Sequence, residues 1–476
     1  MKKLLVLFSL FALLITLTPG KIVNAQGQTQ TNSAIYQMTD LGFGEGIAIN
    51  DLGWITGTRY DENGIYHPFV WKPDTGFQEL PFQGVGRDIN NNGEIVGYGN
   101  NGAFLWSTNN NTLSYFNGTD GSAAPLAIND SGQIVGYTKY ANITYDSVLW
   151  NSPDSPQIIG DLGGEGSWAY DINEEGIVVG EAKDNLGNNL AYMWTSIGGT
   201  QTLTGIGNVS TAQSINDQGQ IAGSYFTPGE SHDFYIWQDG AIQFLSDNYD
   251  VALGRINNNG TVVGKFIVPG TGTDHGFYWT SQSGLTDLTP DYPYDSYALD
   301  VNDNGYIVGI VHDANDQTHI TLWKPVPEPS FTLNGKVNLL NFNGNFSSIP
   351  ITVELRKHGD SATTITTTLQ NDGSYTLSGV EIGSYDIAFE ASHWLRKTVT
   401  DVNIYQDTAI NVSLVNGDVD GDNDIDAQDQ TLLRKANNST PDSKKWNPNA
   451  DLNGDNKVNR LDMIILINNL GLVGDL

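Results

Sequence analysis

The chain has 476 residues, no cysteine and a formal net charge of −32 at pH 7. Its length predicts more than one domain, and the lack of cysteine excludes disulfide bridges and thiolate metal sites. The strong negative charge repels nucleic acids and anionic membranes and favours cations, so we expect no nucleic-acid partner.

A secretory signal is predicted at residues 1–25. Two lysines precede an apolar run from Leu4 to about Leu17, and small residues lead to a cleavage point near Ala25. The alternative is an N-terminal membrane anchor, but the run is shorter than the roughly 18–20 residues that a span needs. We therefore expect a secreted protein, extracellular or at the cell surface, without membrane insertion. Loss of the three lysines of the signal changes the formal charge from −32 to −35.

Seven copies of the phrase Ile-Asn-x-x-Gly-x-Ile/Val-x-Gly recur about every 42 residues. The copies begin at Ile49, Ile89, Ile128, Ile172, Ile215, Ile256 and Val301. A Trp at the end of an apolar triplet follows each copy, at Trp71, Trp106, Trp150, Trp194, Trp237, Trp279 and Trp323. This period without a helical pattern predicts a mainly β protein, with a seven-bladed β-propeller at residues 34–324. An open β-solenoid is the alternative.

Each predicted unit has four strands, with Asn-x-x-Gly as the tight turn between the first two. A second glycine follows the turn, which suits a close backbone approach or a bulge. These glycines are Gly57, Gly97, Gly136, Gly180, Gly223, Gly264 and Gly309. Residues Ala34–Leu41 resemble a fourth strand but precede the first repeat, and the seventh unit lacks its own fourth strand. We expect the two ends to pair, at residues 317–323, and to close the ring.

Three phrases in the repeats resemble the HAF-type extracellular repeat family of bacteria. They are Asp161-Leu162-Gly163-Gly164, Ile128–Gly136 and Ala103-Phe104-Leu105-Trp106. The resemblance covers nearly 300 residues, and it implies little about biochemical function.

Histidines recur near the tryptophans. His67, His275 and His319 lie four residues before their Trp, and His232 is shifted by one. One interpretation is a catalytic or metal cluster, and the other is a repeated structural role, which we favour. No Ser-His-Asp pattern, phosphate-binding loop or paired-carboxylate signature stands out in the repeats.

A Pro-rich linker at residues 325–330 and a small β-sandwich at residues 331–414 are predicted next. The sandwich rests on about seven short alternating strands. Asp372-Gly373-Ser374-Tyr375-Thr376-Leu377 and Gly383-Ser384-Tyr385-Asp386-Ile387 resemble the carboxypeptidase regulatory-like family. That resemblance implies a transthyretin-like sandwich that acts as a spacer or adhesive module.

Two loops of twelve residues, 418–429 and 451–462, have the oxygen spacing that wraps Ca²⁺. They predict two Ca²⁺ sites. The first would use Asp418, Asp420, Asp422, the Asp424 carbonyl, Asp426 through water, and Asp429; the second would use Asp451, Asn453, Asp455, the Lys457 carbonyl, Asn459 through water, and Asp462. The alternative is a disordered acidic tail, since six carboxylates in the first loop repel one another without a cation.

Three further expectations concern these loops. Asn423 and Asn456 replace the usual Gly at position 6, and Asn is the best substitute at positive φ. Ile425 and Val458 at position 8 are expected to pair the two loops. A helix should follow each loop, with Leu432 and Leu433 in the first. Met463, Ile464, Leu466, Ile467 and Leu470 belong to the second.

The duplicated loop and helix, with Asp at position 12, resembles a type I dockerin, and we assign it residues 416–476. The resemblance implies Ca²⁺-dependent docking to a cohesin-like protein. The Ser-Thr pair that contacts cohesin in cellulosomal dockerins corresponds here to Ala427-Gln428 and Arg460-Leu461. Both pairs depart from the family pattern on which the usual cohesin specificity depends.

Together these patterns predict a secreted, non-catalytic binding and assembly protein with a platform, a sandwich and a docking module. The alternative is a component of extracellular polysaccharide breakdown, either a carbohydrate-binding accessory protein or a glycan-active enzyme. The sequence does not name the glycan or protein ligand of the propeller, the docking partner or the oligomeric state.

Overall fold

The computed structural model describes residues 36–118, 122–139, 144–207, 209–226, 232–245, 251–327, 329–357 and 362–475. The predicted signal, its cleavage point near Ala25, and Ala34 lie outside these residues. The chain divides into two compact units, Met1–Val326 and Pro327–Leu476. Among the described residues, no helix has both the length and the apolar character needed to cross a membrane.

The first unit consists of antiparallel sheets of four strands each, and seven such sheets lie in its described residues. Its strands are β1 (Tyr36–Phe43), β2 (Glu45–Ile49), β3 (Ile55–Tyr60), β4 (Tyr66–Lys72), β5 (Gly76–Glu79), β6 (Gly84–Ile89), β7 (Glu94–Gly99), β8 (Gly102–Ser107), β9 (Thr112–Phe116), β10 (Ala123–Ile128), β11 (Ile134–Lys139), β12 (Tyr145–Trp150), β13 (Pro156–Ile159), β14 (Gly163–Ile172), β15 (Val178–Asp184), β16 (Asn189–Thr195), β17 (Gly199–Thr202), β18 (Ser210–Ile215), β19 (Ile221–Phe226), β20 (His232–Gln238), β21 (Ala241–Phe244), β22 (Val251–Ile256), β23 (Val262–Ile267), β24 (Asp274–Thr280), β25 (Gly284–Asp287), β26 (Ser296–Val301), β27 (Ile307–His312) and β28 (Thr318–Pro325).

Six sheets are built from four consecutive strands, beginning with β2–β5 and ending with β22–β25. The seventh has the order β1-β28-β27-β26, so it combines strands from both ends of the unit. β1 pairs antiparallel with β28, from Tyr36 opposite Pro325 to Phe43 opposite His319. This is the pairing that the sequence predicts, and the arrangement is β-propeller-like.

The repeated glycines lie where two strands approach closely. A Cβ added to Gly57 would clash with the carbonyl oxygen of Glu45 in the first strand of the sheet, and all seven equivalent glycines face such a carbonyl at under 3.0 Å. Each first strand also carries a register shift near that point, as between Gly46 and Ala48. The predicted close approach and bulge are both present.

Neighbouring sheets are joined by shared apolar clusters. Val70 of the first sheet packs with Phe104 and Trp106 of the second. The first and seventh sheets share a cluster in the same way, with Phe69 against Ile320 and Leu322. Burial of a large ring between sheets removes on the order of 150–250 Å² from water.

The second unit contains a β-sandwich followed by two helices. Its elements are β29 (Ser330–Leu339), β30 (Pro350–Lys357), β31 (Ala362–Thr368), β32 (Ser374–Glu381), β33 (Gly383–Ala391), β34 (Trp394–Ile404), β35 (Thr408–Ala409), β36 (Val412–Leu414), α1 (Ala427–Ala436) and α2 (Arg460–Asn469). One sheet joins β32, β29, β35 and β36, and the other has the order β31-β30-β33-β34. Buried residues from both sheets, including Leu333 and Phe389, form one core.

The sandwich and the helical segment share a second core, because Leu395 of β34 lies in the cluster that holds Ile425, Leu433, Val458 and Leu466. The resemblance at the sequence level implies a spacer or adhesive module. In the structure the sandwich packs directly on the segment that carries the two acidic loops.

Candidate metal and docking site

The first acidic loop is already wrapped by its own backbone. Asp418 accepts hydrogen bonds from the amides of Gly421 at 2.6 Å and Asn423 at 3.0 Å. Asp429 is fully buried at the start of α1 and accepts from the amides of Val419 at 2.6 Å and Asp426 at 2.7 Å. These contacts hold the carboxylates of Asp418 and Asp429 inside the loop.

Two groups of three carboxylates in this loop have oxygen atoms close enough together to hold a metal ion, and they are the groups of this kind among the described residues. One is Asp418, Asp420 and Asp422; the other is Asp424, Asp426 and Asp429; within each group one oxygen per residue lies within 4.8 Å of the others. The structure thus places each of the six predicted residues of the loop in one of two groups of three. It places the Asp424 carboxylate in the group, although the sequence predicts a ligand role for its carbonyl.

The electrostatics of the first loop fit a cation. Burial, followed by the nearby carboxylates of Asp429, Asp422 and Asp418, raises the pKa of Asp420 to about 6. An Asp424 side-chain oxygen is buried without a hydrogen-bond partner among the described residues. An all-oxygen donor set with excess negative charge is the kind that Ca²⁺ prefers.

The second loop has the same backbone plan with less charge. Asp451 accepts from the amide of Asn456 at 2.8 Å, and Asn453 accepts from Asp455 at 3.0 Å. Asp462 is fully buried and accepts from the amide of Asn459 at 2.8 Å. Burial raises the pKa of both Asp451 and Asp462 above its usual value.

Asparagine at position 6 adopts the predicted left-handed conformation, with φ of 71° at Asn423 and 62° at Asn456. The position-8 residues differ from the expectation. Ile425 and Val458 share a core, but the Ile425 amide donates to Leu472 at 2.9 Å and the Val458 amide donates to Ser439 at 3.1 Å. Each loop therefore pairs with the segment after the opposite helix, which satisfies its buried amide there.

The two helices expose different surfaces at equivalent positions. α2 presents Leu461, Ile464 and Ile467, whose exposed fractions are 55%, 43% and 52%. The corresponding residues of α1, counted by the offset between Asp418 and Asp451, are the exposed Gln428, Thr431 and Arg434. Leu470, Leu472 and Val473 extend the exposed apolar surface beyond α2. We call this surface the α2 apolar face.

The repeats of the first unit converge in two cyclic sets of hydrogen bonds. The side-chain amide of each Asn in the Ile-Asn phrase donates to the Asn carbonyl of the next sheet at 2.9–3.2 Å, and Asn302 donates to Asn50. The backbone amide of the residue after each Asn donates to the side chain of its counterpart at 2.7–2.9 Å, and Asp303 donates to Asp51. These residues line a cavity of about 200 Å³.

A charged cluster lies at the position before the Ile-Asn phrase. Arg255 contacts Asp171, and another of its nitrogens lies 3.4 Å from an oxygen of Asp88. Asp300 is also buried and accepts from the amides of Val301 at 2.9 Å and Ile49 at 2.8 Å. Sequence reasoning missed this cluster, although acidic or basic residues at this position in four of the seven repeats were a signal.

Each of the three histidines whose side chains are described, His67, His275 and His319, contacts a different partner. The Nδ1 atoms of His275 and His319 lie 2.8 Å and 2.9 Å from carboxylate oxygens of Asp287 and Asp40, in the fourth strands of their own sheets. His67 makes a similar contact at 3.1 Å with the carbonyl of Phe82. The side chain of His232 lies outside the described residues. These contacts support the repeated structural role.

Comparisons with known proteins bear on both units. Residues 416–471 match the model of the dockerin type I domain. A search of curated proteins gave no match.

Solved structures similar to this chain fall into two groups. An interface mutant of a type II cohesin–X-dockerin complex from Acetivibrio cellulolyticus contains a chain that is 22% identical, with a TM-score of 0.27; the match covers 30% of this chain and 97% of that one. The β-propeller domain of the Trilobed protease from Pyrococcus furiosus is 11% identical, with a TM-score of 0.44, covering 61% of this chain and 95% of that one. Acylaminoacyl peptidase from Pyrococcus horikoshii is 12% identical, with a TM-score of 0.43, covering 60% of this chain and 51% of that one.

Proposed function

We propose that the chain is a non-catalytic extracellular assembly protein that docks, in a Ca²⁺-dependent way, onto a cohesin-type partner. The observation that carries the proposal is the α2 apolar face, on a helix that begins inside a calcium-type loop. The match of residues 416–471 to the dockerin type I domain supports the same conclusion.

Two Ca²⁺ ions would be held by the ligand sets that the spacing predicts. In the first loop Asp418, Asp420, Asp422 and Asp429 would bind directly, and Asp426 would bind through water. In the second loop Asp451, Asn453, Asp455 and Asp462 would bind directly, with the Lys457 carbonyl and with Asn459 through water. This second set carries less carboxylate charge. We infer tighter binding in the first loop, because affinity rises with the number of charged ligands.

The α2 apolar face would be the contact surface. Each exposed Leu or Ile stabilises a complex by up to roughly 1.5–3 kcal/mol when it is fully buried against a partner. α1 offers polar groups at the same positions, so the two halves of the duplicated segment are not interchangeable. A single orientation of the partner, seated on α2, follows from this asymmetry.

The docking proposal is tested by measuring binding of the full chain to type I and type II cohesin modules, with Ca²⁺ and with a chelator. We expect the chain to bind a cohesin module when Ca²⁺ is present and not in chelator. Ile464→Asp should weaken this binding at least about tenfold, or 1.4 kcal/mol. Thr431→Asp, at the equivalent site on α1, is the matched control and should bind as the parent does. Binding that persists in chelator, or equal loss in both variants, would contradict the proposal.

We further propose that the seven sheets of the first unit are the blades of a closed β-propeller, and that this propeller binds a ligand without catalysing its reaction. The cyclic hydrogen bonds and the pairing of β1 with β28 support closure. The contacts of His275 and His319 with aspartates of their own sheets support a non-catalytic role, since each carboxylate fixes its ring locally.

A carbohydrate ligand on the first unit is a second candidate, favoured by a row of aromatic rings. The ring of Tyr145 lies 5.4 Å from that of Tyr137 and 5.8 Å from that of Trp168. Nearby, the Tyr170 hydroxyl donates to Glu181 at 3.0 Å. Ring faces carry partial negative charge that attracts the C–H groups of a sugar, and the carboxylate accepts hydroxyl hydrogen bonds.

A glycan array combined with polysaccharide hydrolysis and lyase assays separates the two candidates. Binding that is lost in Trp168→Ala, with no turnover, supports a carbohydrate-binding accessory role. Turnover of any polymer would overturn the non-catalytic proposal. Absence of glycan binding leaves a protein ligand as the expected occupant.

A further inference from the structure

The Asn423 side chain connects the first calcium loop to the sandwich. Its oxygen accepts a hydrogen bond from the backbone amide of Arg396 in β34 at 2.9 Å. Its nitrogen donates to the carbonyl of Asp475 at 3.1 Å, and its own carbonyl accepts from the amide of Gly474 at 2.9 Å. One residue thus links three segments: the loop, the sandwich strand and the C-terminal segment.

The C-terminal segment is bound to the sandwich independently of Asn423. The Asp475 amide donates to the carbonyl of Arg396 at 3.0 Å, and its carboxylate accepts from Lys397 at 2.8 Å and from the Thr398 amide at 2.9 Å. The Arg396 amide and the Asp475 carbonyl, the two groups that bond to the Asn423 side chain, are therefore held in place by other contacts. Leu395, one residue before Arg396, is buried in the core beneath the loops.

The second loop has no equivalent side-chain link at position 6. Asn456 is exposed, and its side chain makes no hydrogen bond to another described residue. That loop touches the sandwich elsewhere, through the Asn453 carbonyl, which accepts from the amide of Asn343 at 2.9 Å. Glycine would satisfy the left-handed backbone at both positions, so the asparagine at 423 has a use that the one at 456 lacks.

We propose that Asn423 is a latch that couples Ca²⁺ binding in the first loop to the packing of the sandwich strand β34. This inference rests on the proposed calcium sites. Asn423 lies between Asp422 and Asp424, and its amide donates to Asp418, so its position follows the closure of the loop. Without a cation the carboxylates repel one another, the loop opens and the side chain leaves Arg396.

Coupling of this kind acts in both directions. If Ca²⁺ stabilises the latch, the latch must strengthen Ca²⁺ binding by the same factor. Loss of the two side-chain hydrogen bonds of Asn423 should therefore weaken Ca²⁺ binding in the first loop by roughly tenfold or more.

The test compares the full chain with Asn423→Gly and Asn456→Gly. Both substitutions place glycine at position 6 and remove an asparagine from a left-handed site, but only the first removes the latch. Calorimetry should show Ca²⁺ affinity weakened about tenfold at one site in Asn423→Gly and unchanged or improved affinity in Asn456→Gly. Hydrogen exchange at residues 394–398 and 474–475 should slow with Ca²⁺ in the parent and in Asn456→Gly, and should respond less in Asn423→Gly.

The outcomes separate the latch from the proposed function. If the parent binds no Ca²⁺, the calcium-dependent docking fails and the latch fails with it. If the parent binds Ca²⁺ but Asn423→Gly keeps the full exchange response, only the latch is overturned. Equal effects of the two substitutions would also overturn it, because they would belong to position 6 in general.

Discussion

The guanidinium of Arg255 contacts the carboxylate of Asp171 in the sheet two places earlier, and it also faces Asp88 at 3.4 Å. With Asp300, three carboxylates lie around a single cation. Burial lowers the pKa of Arg255, but the carboxylates of Asp171, Asp88 and Asp300 together outweigh burial and raise this pKa above its usual value, so the guanidinium stays charged. This buried charge network joins sheets that are not neighbours in the chain.

Removing the cation should destabilise the first unit strongly. We expect Arg255→Leu to lower its free energy of unfolding by about 3–5 kcal/mol, because buried carboxylates lose their counter-charge. Urea unfolding, followed by a probe of the first unit, measures the change. Arg59→Leu is the control: its bond to Glu79 is partly exposed, with side-chain exposures of 29% and 45%, so it should cost less than about 1 kcal/mol. Equal effects would contradict the burial argument.

Asp300 should make the stability of the first unit depend on pH. Burial, opposed by Arg255, raises the pKa of Asp300 to about 7. Since this folded-state pKa exceeds the usual one, the contribution is fully present below the usual pKa of about 4 and is lost as pH rises toward 7. The stability of the parent relative to Asp300→Asn should therefore increase as pH falls from 7 to 5.

A control of opposite sign is available in the second unit. Hydrogen bonds from Ser374, together with Lys336, lower the pKa of Asp372. The stability of the parent relative to Asp372→Asn should decrease as pH falls, again by urea unfolding. The same sign for both aspartates would show that the environment of Asp300 is not as described.

The repeated glycines should tolerate no side chain. Gly180→Ala would press a methyl group against the Trp168 carbonyl, and we expect a loss of about 1–3 kcal/mol or more. Gly187→Ala tests the backbone cost alone, since that glycine has φ of 85° and open space around it. It should cost about 1–2 kcal/mol. The loss of stability in each variant is measured by thermal unfolding. A smaller loss for Gly180→Ala than for Gly187→Ala would contradict the close approach at Gly180.

Chelation should affect the two units differently. Ca²⁺ at 100 times its dissociation constant stabilises a one-site protein by about 2.7 kcal/mol, so chelator should lower the unfolding midpoint of the second unit. The first unit, which lacks the acidic loops, should keep its midpoint. Scanning calorimetry measures the two unfolding midpoints, and hydrogen exchange assigns each transition to its unit. A shift confined to the first unit would contradict the placement of the sites.

Local features were predictable from the sequence, because one short segment determines each of them. The left-handed φ of Asn423 and Asn456 follows from their place in a loop of known spacing. The close approach at Gly57 follows from a missing side chain in a repeated strand pair. The pairing of β1 with β28 followed from counting strands, since an unmatched strand at each end requires a partner.

Convergent features were not predictable, because residues at one repeat position differ between repeats. The position of Arg255 is filled elsewhere by Ala48, Asp88, Ala127, Asp171, Ser214 and Asp300. Only the arrangement of the sheets brings these side chains together, so no spacing within a repeat indicates an ion pair. The Asn423 link to Arg396 was missed for the same reason, since it joins segments of different character.

The strand that leads out of the first unit has a mechanical consequence. β28 ends at Pro325, next to the segment that continues to the docking module, and it lies between β1 and β27 as an inner strand of its sheet. A load applied through a docked partner therefore enters a strand that is hydrogen-bonded on both sides. Pulling β28 out would require its hydrogen bonds to β1 and to β27 to break together. Because β1 covers what would otherwise be an edge, β28 resists such a load better than an edge strand would.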